Sequence, residues 1–93
     1  MENLVLSTYG NDFMSIIEFD DIFGQIKPKI KPYGNLLIDL EGINNVSPSF
    51  MTRLINKLYE ELNLVSINII NGNSRLETTF KFAQHSIAFK TAN

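Results

Sequence analysis

Residues 35–70 constrain the fold most. Asn35-Leu-Leu-Ile-Asp-Leu-Glu41 is a nearly continuous apolar run closed by Gly42, the pattern of a central strand covered on at least one face. After a loop from Ile43 to Val46, Ser47 offers N-cap chemistry and Pro48 suits the first helical position. Met51, Leu54, Ile55, Leu58 and Leu62 then share one helical face, while Thr52, Arg53, Asn56, Lys57, Glu60 and Glu61 take the other. The stretch from Leu64 to Ile70 alternates through Val65, Ile67 and Ile69 and stops at Asn71-Gly72-Asn73. Strand, helix and strand in this order form a βαβ unit, which calls for a right-handed crossover and a parallel pair.

The flanks are read against that unit. Asn3–Tyr9 and Asp12–Phe19 are two β-prone runs separated by Gly10-Asn11, which predicts a hairpin. Phe13, Ile16 and Ile17 also fit helical spacing, so a helix starting near Asp12 is the alternative. Asp20 or Asp21 can cap a short helix ending near Lys27, since Pro28 must stop or kink it. At the other end Ser74 and Glu77 have the spacing of a capping box, and Leu76, Phe80, Ala83 and Ile87 follow as a core-facing stripe. The expected order is β-β-α-β-α-β-α: one α/β domain over residues 1–93, a roughly four-stranded mixed sheet, and helices mainly on one face.

Composition narrows the chemistry. A chain of 93 residues supports one core, with no room for separate substrate and cofactor domains. It has no cysteine, which removes disulfides, thiol catalysis and thiolate metal sites and predicts a cytoplasmic setting. With one histidine, His85, a His-pair metal site is excluded, and no cofactor or metal is expected. No apolar run reaches the ~18–20 residues of a membrane span, and the segment after Glu2 lacks the basic and apolar regions of a secretory signal. The net charge of −2 is uneven: residues 1–26 hold Glu2, Asp12, Glu18, Asp20 and Asp21 and no base, and Lys27, Lys29 and Lys31 follow together. Three lysines around prolines make a solvated connector rather than the basic stripe of a nucleic-acid binder.

Few residues can carry chemistry. Ser47-Pro48-Ser49-Phe50 lies between a strand end and a helix start, where ligands and modifications tend to be placed in α/β sheets. A phosphate on Ser49 would sit at the positive end of a helix dipole; the simpler reading is capping alone. Asp39 and Glu41 share one side of a regular strand, yet no third acid or neighbouring base completes a site, so Asp39 is a ligand candidate only in a sensor-type reading. His85 falls off the apolar stripe of its helix and is expected at the surface. Phe82 and Phe89 share another face; they widen the core or form an exposed patch, and a small domain's need for apolar volume favours the core.

Ile38-Asp39-Leu40-Glu41-Gly42-Ile43, the loop to Val46, and Ser47-Pro48-Ser49-Phe50 opening an amphipathic helix together resemble the STAS-like domain family. These are small regulatory domains similar to the anti-sigma factor antagonists and to the cytoplasmic tails of sulfate transporters. The likeness is densest from Leu36 to Leu64 and reaches more loosely to Phe23-Gly24-Gln25-Ile26 and to the last strand and helix. In the antagonists the matching loop reads Asp-Ser-Ser-Gly, and a partner kinase phosphorylates its second serine. Here Ser47 stands at the aspartate, Pro48 at the first serine, Ser49 at the phosphoacceptor and Phe50 at the glycine. Thr52-Arg53 replaces an acidic pair.

The resemblance implies a non-catalytic, protein-binding STAS-like sandwich. Its partner would be a histidine-kinase-like ATPase meeting Ser47, Pro48, Ser49, Phe50 and Arg53, with Ser49 as the switch. The other readings are a small-molecule or nucleotide sensor near Asp39, and an adaptor that forms homo-oligomers through a sheet edge or the Phe82/Phe89 face.

Overall fold

The strand at residues 35–39 pairs in parallel with that at 66–70, as the pattern predicts, and a short strand, Asn45–Val46, forms where a loop is expected. The computed structural model describes residues 2–91, with side chains to residue 85. Strands β1 (Glu2–Val5) and β2 (Asp12–Phe13) precede helix α1 (Phe19–Ile26), β3 (Asn35–Asp39) and β4 (Asn45–Val46) precede α2 (Pro48–Leu62), and β5 (Ser66–Ile70) precedes α3 (Ser74–Thr91). Short 3-10 turns cover Leu6–Tyr9, Ile16–Glu18 and Lys27–Lys29.

The sheet differs from the four-stranded mixed sheet expected. β1, β3 and β5 form a three-stranded sheet in the order β1-β3-β5 with β3 central, and both pairings are parallel. β2 and β4 form a separate two-stranded parallel pair. No hairpin joins β1 to β2. The chain leaves β1 through the turn at Leu6–Tyr9, which carries Leu6 to complete burial, and passes Gly10 at φ 144°. Phe13 then pairs with Val46, and its ring packs 5.2 Å from that of Phe50. Burying Leu6 and Phe13 outweighs the local turn preference of Gly10-Asn11, because full burial of a large apolar side chain contributes ~1.5–3 kcal/mol. The second β-prone run keeps only two strand residues, and the helix it competes with starts at Phe19 rather than Asp12. Asp20 and Asp21 lie in that helix's first turn, where their charge suits the dipole, and neither caps it.

Register explains which side of the sheet is covered. Leu36 aligns with Ile67, and Leu4 with Ile38 and Ile69; all but the partly buried Ile69 are buried. The alternate rows, Asn3-Leu37-Asn68 and Val5-Asp39-Ile70, lie on the opposite face, where Val5 and Ile70 are exposed. Among the described residues one face is therefore the core and the other is uncovered, although parallel sheets are usually covered on both. α2 supplies Phe50, Met51, Leu54, Ile55, Leu58 and Leu62 to the core, and α3 supplies Leu76, Phe80 and Ala83. Ile87 and Phe89 lie outside the residues whose side chains are described. Phe82, expected inside, is 71% exposed.

The start of α3 also differs from expectation. Asn73, not Ser74, caps it: the Leu76 N–H donates to Asn73 Oδ1 at 2.8 Å and the Glu77 N–H to the Asn73 carbonyl at 2.9 Å. Ser74 is the first helical residue, so the Ser74–Glu77 box does not form. Among the described residues no helix is long and apolar enough to cross a membrane.

Candidate functional site

The start of α2 is built outward from Phe50. Its ring, 0% exposed, lies 5.2 Å from both Phe13 and Phe19, so three aromatic side chains lock segment 13–19 against the helix. Edge-to-face and tilted pairs of this kind contribute ~0.5–1.5 kcal/mol each beyond their burial. The expectation that Phe50 meets a partner gives way here, because the ring is wholly inside. Helical spacing held the signal: Phe50, Leu54 and Leu58 lie four residues apart on one buried face.

Ser47 is the N-cap. Its Oγ accepts from the Phe50 N–H at 3.1 Å and its carbonyl accepts from Met51 at 2.9 Å. The Ser47 N–H donates to the Phe13 carbonyl at 2.9 Å, which ties the helix start to β2. Pro48 follows at the first helical position and is exposed, as is Ser49. Arg53 stands one turn after Ser49 and is also exposed. Its guanidinium lies 5.3 Å from the centre of the Phe19 ring and reaches Asp20 only at 3.8 Å. The structure thus gathers Ser47, Pro48, Ser49 and Arg53 around one helix turn, with Phe50 beneath.

Sequence reasoning missed the neighbourhood. A groove of about 280 Å³ runs from Met14 past Asn45, Ser47 and Pro48 to Arg75 and Leu76 at the start of α3. Beyond it the β2–α1 segment exposes Ile16 and Ile17. The adjacency of residues 13–14 to 46–48 comes from the β2–β4 pairing, which the hairpin reading had hidden.

Asp39 serves the strand ends. Its Oδ1 accepts from Asn71 Nδ2 and from the Glu41 N–H, each at 3.0 Å, joining the end of β3 to the turn after β5. These two hydrogen bonds, the one from Asn71 first, hold the Asp39 carboxyl below its ordinary range. Among the described residues no group of three His, Asp or Glu side chains could hold a metal ion. His85 is exposed on α3. No family model, curated protein or solved structure matches the chain.

Proposed function

We propose that this chain is a regulatory protein-binding domain of the STAS-like kind, non-catalytic itself, whose partner is a histidine-kinase-like ATPase. The partner meets the exposed start of α2 at Pro48, Ser49 and Arg53. One observation carries this reading: Ser49 is exposed in the first turn of a helix whose backbone is fixed from below by Phe50, with Arg53 one turn further on. Such a serine is accessible to an incoming phosphoryl donor and presented on a rigid base.

In the switch, the γ-phosphoryl group passes from ATP on the partner to Ser49 Oγ. The bond to the bridging oxygen of ATP breaks, ADP leaves, and the hydroxyl proton passes to the partner's base. The product carries about −1.5 to −2 charges at the positive end of the α2 dipole and one turn from Arg53, whose contact with Asp20 is loose enough to give up. The new charge changes the fit of the same surface to its partner.

The test uses the tagged chain expressed in its native cells. The captured protein should be an ATP-binding kinase-like protein, lost with Arg53→Glu and with Ser49→Asp. Radiolabelled ATP added to the complex should mark wild type and leave Ser49→Ala unmarked. Capture unaffected by Arg53→Glu and Ser49→Asp would overturn the binding surface. Equal labelling of Ser49→Ala, or no labelling of wild type, would overturn the switch.

A further inference from the structure

The segment between β2 and α1 turns its apolar side chains outward. Met14 is 59% exposed, Ile16 52% and Ile17 90%. This is not a frayed end. Phe13 and Phe19 on either side are buried against Phe50, and the Ile17 N–H donates to Ser15 Oγ at 3.2 Å. A well-anchored segment that presents three large apolar residues to water has the character of a surface covered in use. Exposed Asp12, Glu18, Asp20 and Asp21 flank it, within the stretch of chain that carries no base before Lys27. The patch therefore has an apolar centre and a rim of four carboxylates against two bases, Arg53 loosely paired with Asp20 and Arg75 lining the groove into which Met14 continues beside Pro48.

We propose that Met14–Asp21 docks a protein segment that is apolar on one side and rich in lysine or arginine around it, such as a basic amphipathic helix. Charge selects this occupant. The acidic rim repels nucleic acid and an anionic membrane surface. A second copy meeting the patch face to face would set Glu18, Asp20 and Asp21 against their own counterparts. A basic amphipathic segment instead covers the isoleucines and satisfies the carboxylates together. The proposal rests on the reading above for the partner being a protein, and it is tested without Ser49.

The probe is a fluorescein-labelled helix-forming peptide of leucine and lysine, about 18 residues or five turns long, with its leucines on one face. Fluorescence anisotropy is read with wild type and with the double variant Ile16→Ser/Ile17→Ser, whose altered side chains lie outside the core; circular dichroism checks its fold. Wild type should bind, more weakly as salt rises, and the double variant should bind roughly ten-fold or more weakly.

Equal affinity for the double variant would overturn the proposal, as would equal binding of a scrambled peptide whose leucines share no face. Sedimentation with phosphatidylglycerol vesicles, or self-association of wild type abolished by the double variant, would assign the patch to a different occupant and overturn it too. Failure of the peptide leaves Ser49 labelling able to succeed, and the converse holds, so the two readings fall separately.

Discussion

The side-chain amide of Gln84 donates to the Ile67 carbonyl at 2.7 Å, while the Ile67 N–H on the same strand edge donates to the Tyr59 hydroxyl at 3.2 Å. Two side chains from α3 and α2 thus take the places that another strand would fill. β5 is an edge strand closed at Ile67 by side chains rather than by another strand, one way in which sheets avoid pairing edge to edge.

Tyr59→Phe should remove one half of that closure and leave the Ile67 N–H unpaired. The expected loss is about 1 kcal/mol, or a fall in Tm of roughly 4–8 °C for a domain of this size. Urea denaturation reads the stability, and hydrogen exchange should show the Ile67 amide opening faster.

Neighbouring residues at the start of α2 should behave oppositely. Phe50→Ala empties the centre of the Phe13–Phe50–Phe19 cluster and should cost ~3–5 kcal/mol, a large part of the ~5–15 kcal/mol that holds a small domain together. Ser49→Ala should stay within about 0.5 kcal/mol. Thermal unfolding of the two variants side by side checks the contrast.

The caps give a second contrast. Ser47→Ala and Asn73→Ala should each cost about 1 kcal/mol by orphaning the N–H groups of Phe50 and Leu76. Ser74→Ala should be nearly neutral, because Ser74 lies inside the helix it was expected to cap. Chemical denaturation of the three variants separates the alternatives; a costly Ser74→Ala would restore the capping box.

Stability should fall on acidification through two surface carboxylates. Asp39 is held low by Asn71 and the Glu41 N–H, and Glu61 by hydrogen bonds from Lys27 and then Lys57. Both folded-state pKa values lie below the unfolded ones, so the contribution is complete above the ordinary carboxylate range. It is lost as pH drops through that range and past the lower folded values. Denaturation midpoints measured from about pH 6 down to pH 2 should decline, and Asn71→Ala should flatten the part due to Asp39.

The part of the fold legible in the sequence is the part where local pattern and tertiary burial agree. β3, the stripe of α2 and Ile67 in β5 meet both conditions, whereas Val65, the first residue of the expected alternation, stands exposed ahead of β5. The amino-terminal third does not meet them. Gly10-Asn11 carries a local turn signal, but the chain follows Leu6 and Phe13 into the core and pairs β1 with β3 instead. Phe50 was misplaced because a serine-proline helix start reads as surface, although its four-residue spacing to Leu54 pointed inward. Ile16 and Ile17 offered no such clue. Alternation in residues 12–19 suggests a strand, and nothing in the identity of an isoleucine says that it stands in water. Only the run of acids around them hinted at a face turned outward.

The packing of Phe13, Phe50 and Phe19 has a kinetic consequence. These rings hold the exposed serine and the outward isoleucines on backbone that is already in place before anything binds. A partner arriving at this end would find no loop to order first, so the loss of conformational freedom would fall mostly on its own side of the encounter. Association would then be timed by diffusion and charge rather than by a folding step, and differences between partners would be written in how long each one stays.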